Sequence, residues 1–135
     1  ENCEIDVNLN KYNGETIQYY FEIQDIAGNT YSSRATNIKV DTDPPVINNP
    51  NSFFEITNNR YIEFDIEIDE DNFYKVTYLD MNNPRARPLT LCTRLVDGHC
   101  LKKRSFTRGE YDLTIEISDK AGHSIGLPAT FTIDY

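Results

Sequence analysis

This sequence predicts an all-β fold, and three observations carry the prediction. The strand-favouring residues Ile, Val, Thr, Tyr and Phe recur throughout, with aromatics at 12% of the chain. No stretch has the i, i+3, i+4 apolar spacing of an amphipathic helix. Clusters of Asn, Pro, Gly and Asp cut the chain into short alternating segments. The 135 residues leave room for one full core, or for one domain and part of another.

Taken in order, segments near residues 3–10, 17–24 and 31–41 read as strands. Three strands cannot bury an apolar face alone, so residues 1–41 are expected to be the C-terminal half of a sandwich domain, a partial sandwich whose other strands come from elsewhere. Asp41-Thr42-Asp43-Pro44-Pro45 follows. Its paired prolines donate no ladder bonds and hold the chain extended, which marks residues 42–45 as a linker. Beyond it, strands are expected near 46–48, 52–57, 60–68, 73–80, 88–95, 100–107, 111–118 and 127–135. About seven main strands in roughly 90 residues fit an immunoglobulin-like Greek-key β-sandwich over residues 46–135.

An internal repeat supports this division. Tyr19-Tyr20-Phe21-Glu22-Ile23-Gln24-Asp25-Ile26-Ala27-Gly28-Asn29 returns 94 residues later as Leu113-Thr114-Ile115-Glu116-Ile117-Ser118-Asp119-Lys120-Ala121-Gly122-His123. In each copy alternate apolar residues (Tyr19, Phe21, Ile23; Leu113, Ile115, Ile117) are expected to point inward. The Asp-x-Ala-Gly that follows reads as a hairpin turn, with Asp bonding backbone amides and Gly free to take positive φ.

These residues resemble the tandem immunoglobulin-like or fibronectin-III-like repeats of bacterial and archaeal surface proteins. The matching stretches are Gly109-Glu110-Tyr111-Asp112-Leu113-Thr114-Ile115 with Asp119-Lys120-Ala121-Gly122, and Val40-Asp41-Thr42-Asp43-Pro44-Pro45. The resemblance implies a cell-surface spacer, adhesive or accessory module. His123 departs from the Asn usual in that family, and a basic loop between Cys92 and Cys100 lies outside its common pattern. Tyr111 is expected to form a tyrosine corner, its ring in the core and its hydroxyl on upstream backbone.

Charge narrows the partners. Acids outnumber bases 22 to 13, a net charge of -9, which argues against nucleic acid. No apolar run of about 18 residues is present and no signal-peptide pattern follows Glu1, so the chain reads as a mature product or internal fragment without membrane insertion. Glu63, Asp65, Glu67 and Asp69 alternate with Ile62, Phe64, Ile66 and Ile68, so they read as the wet side of one strand, with Lys102 and Arg104 expected beside them on a neighbouring strand.

Arg85, Arg87, Arg94, Lys102, Lys103, Arg104 and Arg108 are seven of the thirteen basic residues within 24 positions. They are candidates for docking an anionic polysaccharide, acidic headgroups or the acidic face of a neighbouring copy, the plainer use being charge balance within the domain. Calcium is a candidate ligand of Asp41, Asp43, Asp69, Asp71 and Asp119, although nothing has the spacing of an EF-hand loop. His99 and His123 have no metal-binding companion motif and read as exposed loop residues. No nucleophile motif occurs, so no catalysis and no other cofactor is expected.

Cys92 and Cys100 flank the turn-like Val96-Asp97-Gly98 and are expected to form a disulfide, implying an oxidising, extracellular setting. Cys3 is left over. The chain is therefore expected to be a noncatalytic spacer, structural or adhesion module of a secreted or surface protein. One alternative is an assembly subunit in which residues 1–41 are completed by strand exchange with another chain. The other is an accessory carbohydrate-binding module using Tyr20, Tyr31, Tyr61 and Tyr74, an idea weakened by the absence of Trp.

Overall fold

Alternation of branched apolar and charged residues from Tyr61 to Asp69 leaves the chain one economical conformation, a strand with one dry and one wet face. A computed structural model, describing residues 2–135, shows that strand and eleven others in an all-β fold. The chain divides into two compact units, Glu1–Asp43 and Pro44–Tyr135.

In the second unit the strands are β5 (Val46–Ile47), β6 (Phe54–Thr57), β7 (Tyr61–Asp69), β8 (Phe73–Asp80), β9 (Leu89–Cys92), β10 (His99–Ser105), β11 (Gly109–Asp119) and β12 (Ser124–Ile133). One sheet runs β12-β11-β8-β9, the other β10-β7-β5 with β6 also on β7, and every pairing is antiparallel. Ile62, Phe64, Ile66 and Ile68 of β7 share one core with Val76, Leu91, Leu113, Ile115, Ile117, Ala129 and Ile133 of the opposite sheet. Fully burying such a side chain contributes about 1.5 to 3 kcal/mol, so this seam stabilises the unit.

Local chemistry sets the edges and turns. Between β5 and β6 no strand lies against β7, and Asn49 fills the gap. Its side-chain oxygen accepts from the Glu67 N–H at 2.8 Å, and its side-chain amide donates to the Asp65 carbonyl at 2.7 Å. Asp97 and Gly98, both at positive φ, make the two-residue turn closed by the Val96–His99 bridge. Tyr111 packs against Phe106 and Phe131, and its hydroxyl donates to the Thr107 carbonyl at 3.0 Å, the tyrosine corner expected from sequence.

The first unit departs from expectation. Residues 3–10 form no strand, and a single 3₁₀ turn follows at Asn10–Tyr12. The other two segments are each broken, giving β1 (Thr16–Tyr19), β2 (Glu22–Gln24), β3 (Thr30–Ser32) and β4 (Thr36–Lys39). β1 pairs with β4 and β2 with β3, so the four pieces make one long hairpin. Its register slips by one residue between Tyr19–Thr36 and Glu22–Ser32, where the Ser33 hydroxyl accepts from the Phe21 N–H at 2.8 Å. The expected inward face is exposed: Tyr19, Phe21 and Ile23 are 41%, 56% and 66% accessible, against 0% for Leu113, Ile115 and Ile117.

Candidate interaction surface

Cys92 ends β9 and Cys100 lies near the start of β10, so the expected disulfide, with Cα atoms 5.9 Å apart, joins the edge strands of the two opposing sheets. Cys3 is free and exposed. Around this staple lies an open groove of about 340 Å³ lined by Thr90, Leu91, Arg94, Val96, Lys102 and Arg104 among others. The fold therefore brings part of the basic cluster to one rim of the unit.

The seven basic residues divide in two. Lys103 Nζ donates to Glu63 Oε1 at 2.7 Å, and Arg108 meets Asp134 at 3.0 Å, so these two balance charge internally. Arg85, Arg87, Arg94, Lys102 and Arg104 are exposed and form no ion pair among the described residues. Arg104 donates instead to the Thr90 carbonyl at 3.3 Å, across the groove between β10 and β9.

The register corrects one expectation. Lys102 and Arg104 stand opposite Phe64 and Ile62, on the Cys100 side of β10, while Lys103 stands opposite Glu63. The row facing the acidic side chains is thus His99, Leu101 and Lys103, because side chains alternate and the pairing starts one residue away from the assumed register. His99 Nδ1 lies 2.6 Å from Asp65 Oδ1, and this contact raises its pKa above 6.5, helped by the charges of Asp65, Glu67 and Asp97 against partial desolvation. The Lys103 contact correspondingly lowers Glu63.

Of the two histidines expected in exposed loops, only His123 lies in one, and it is half-buried. His99 belongs to β10. His123 closes the β11–β12 turn, its N–H donating to Asp119 Oδ1 at 2.9 Å and its Nδ1 lying 2.7 Å from Oδ2. Asn29 makes the same two contacts with Asp25. Side-chain identity at the fifth turn position was the available signal, since Asn and His both carry a ring or amide nitrogen at suitable reach.

The five aspartates considered for calcium are distributed over both units. Asp43 Oδ2 accepts from the Asn13 amide at 2.6 Å, and Asp41 Oδ1 accepts from the Asp43 N–H at 3.3 Å. Asp69 and Asp71 are exposed at the end of β7 and in the turn after it, and both carboxylate oxygens of Asp119 are engaged by His123. Tyr61 and Tyr74 lie on strands of different sheets, and Tyr20 and Tyr31 in the first unit. Lys103 sits 5.0 Å over the Tyr61 ring. A depression of about 770 Å³ spans Phe53, Glu55, Glu63, Asp65, Leu101 and Lys103, where paired charges line a shallow wall.

No family model and no curated protein matches the chain.

Proposed function

We propose that this chain is a noncatalytic immunoglobulin-like module of an extracellular surface or secreted protein, which spaces neighbouring domains and adheres through the basic rim beside its disulfide. The observation that carries the adhesive part is the charge distribution. On a chain of net charge -9, Arg94, Lys102 and Arg104 line one groove without a carboxylate partner among the described residues. Such a patch raises the local concentration of an anionic partner despite the overall charge.

Support for the immunoglobulin-like reading comes from the strand order, in which β7 lies between β5 and β10, the strand after the disulfide turn, and β11 lies between β12 and β8 in the other sheet. The disulfide supports an oxidising location. The test is retention on a carboxylated matrix at rising salt. Reversing Arg94, Lys102 and Arg104 to Glu should abolish retention without changing the melting temperature by more than a few degrees. Equal retention of the reversed variant would end the adhesive reading.

A second reading, assembly by completion of the first unit, is favoured by one observation. The hairpin face of Tyr19, Phe21 and Ile23 is exposed, whereas the matching face of Leu113, Ile115 and Ile117 is covered by an opposing sheet. Light scattering of residues 1–135 beside residues 44–135 decides it. Association of the longer chain alone, lost in Phe21→Ser with Ile23→Ser, is the expected signature; two monomers exclude it.

A further inference from the structure

We propose that the free edge of β10 accepts an extended acidic segment of another protein as an added strand, an inference that rests on the adhesive reading above and names its partner class. β10 ends its sheet and pairs only with β7. The ladder fixes which backbone groups remain open. Gly98 accepts from the Ile68 N–H at 2.8 Å and Phe106 donates to the Arg60 carbonyl at 2.9 Å, so residues two apart from these turn their backbone toward β7. The intervening Leu101, Lys103 and Ser105 turn theirs away from it. His99, in the same phase, already exchanges both bonds with Val96 at 2.9 Å. Three successive outward positions therefore offer an N–H and a carbonyl each to a new strand.

The side chains select what that strand must carry. Lys102 and Arg104 project on the Cys100 side, where Cys100 itself is buried but the two cations are exposed at the rim. Their Cα atoms are two residues apart, about 6.6 to 6.8 Å along a strand, which is the repeat of alternate side chains in any extended partner. Carboxylates at alternate positions thus meet Lys102 and Arg104 in register, with Arg94 beside them in the groove. The chain already contains this kind of pairing on the other side of β10, where the alternating acids of β7 place Glu63 against Lys103. A second β10 is a poor occupant, since antiparallel self-pairing sets the Lys102 and Arg104 charges against their own copies. The mode is strand addition, in which backbone bonds supply affinity and alternate side chains supply selectivity.

The experiment titrates the full chain with a fluorescent seven-residue peptide of alternating Glu and Val, and with the same peptide N-methylated at the amides on one edge. A heparin fragment of similar charge is the third probe. Expected are salt-sensitive binding of the unmodified peptide, a loss of about tenfold or more on N-methylation, and a similar loss in Lys102→Glu with Arg104→Glu. Arg108→Glu, at a residue outside β10 that pairs with Asp134, should bind as the parent chain does. Equal binding of both peptides, or binding of heparin alone, overturns strand addition while leaving an anion-adhesive rim. Failure of all three probes to bind overturns strand addition, and absence of retention on the carboxylated matrix would remove the adhesive reading as well. The N-methylated arm needs no protein variant, so misfolding cannot imitate its result.

Discussion

Asp119 holds His123 twice, through the backbone N–H at 2.9 Å and the ring Nδ1 at 2.7 Å, and Asp25 holds Asn29 through its backbone N–H at 2.9 Å and its side-chain amide at 2.8 Å. The two turns differ in their access to water. Asp119 is 2% accessible, whereas Asp25 is exposed. Removing the buried acceptor leaves turn donors with few substitutes, so Asp119→Ala should destabilise the second unit by about 1 to 3 kcal/mol. Asp25→Ala, at an exposed turn, should change stability less. Urea denaturation of both variants compares them, and equal losses would show that burial is not the deciding factor.

The same carboxylate gives an acid dependence. Burial works against the charge of Asp119, yet the bonds from the His123 side chain and backbone outweigh it and hold the pKa below 3.8. A lowered pKa means the stabilisation is complete above the unfolded value and disappears as pH falls through the folded one. Melting temperatures between pH 5 and pH 2 should therefore fall less steeply in Asp119→Asn than in the parent chain.

His99 should show the opposite sign. Its raised pKa makes its contribution complete below 6.5 and lost as pH rises through the folded value. Nuclear magnetic resonance of the His99 ring should give a midpoint above 6.5 that returns toward it in Asp65→Asn. An unchanged midpoint in that variant would mean that Glu67 and Asp97 hold the charge instead.

Opening the disulfide frees the two sheet edges from each other. Cys92→Ser with Cys100→Ser should cost about 2 to 4 kcal/mol, as for other short closed loops. Reduction of the parent chain should produce the same shift in a thermal melt. A shift from the mutations but none from reduction would point to lost packing of the buried sulfurs.

Tyr111→Phe keeps the ring against Phe106 and Phe131 but removes the donor to the Thr107 carbonyl. A loss of about 0.5 to 1.5 kcal/mol is expected. Equilibrium unfolding measures it directly, and no loss would mean that water replaces the hydroxyl.

How far these features were legible depended on how local their causes are. The alternation from Ile62 to Ile68 and from Leu113 to Ile117 located β7 and β11 to within one or two residues, because a two-residue period with one dry face has a single satisfying arrangement. The turn at Asp97 and Gly98 announced the disulfide for a similar reason. The first unit was harder to read. Ile5 and Val7 imitate a strand by alternation, yet both are exposed and neither pairs, since alternation without a neighbouring edge stabilises nothing. The Lys102 and Arg104 placement failed because it turned on register, which a one-residue shift inverts and which no single segment encodes.

The shortness of β5 has a mechanical consequence. Val46 and Ile47 hold β7 through only two ladder positions, while β12 is paired to β11 along ten. Tension applied through both ends of the second unit would strip β5 first, and the Asn49 bonds with it. Residues 46–52 would then lengthen by at most about 25 Å before the load reached the buried Phe53. The core strands would remain paired through that extension, so a tether built from such units would yield in small reversible steps before any unit unfolded.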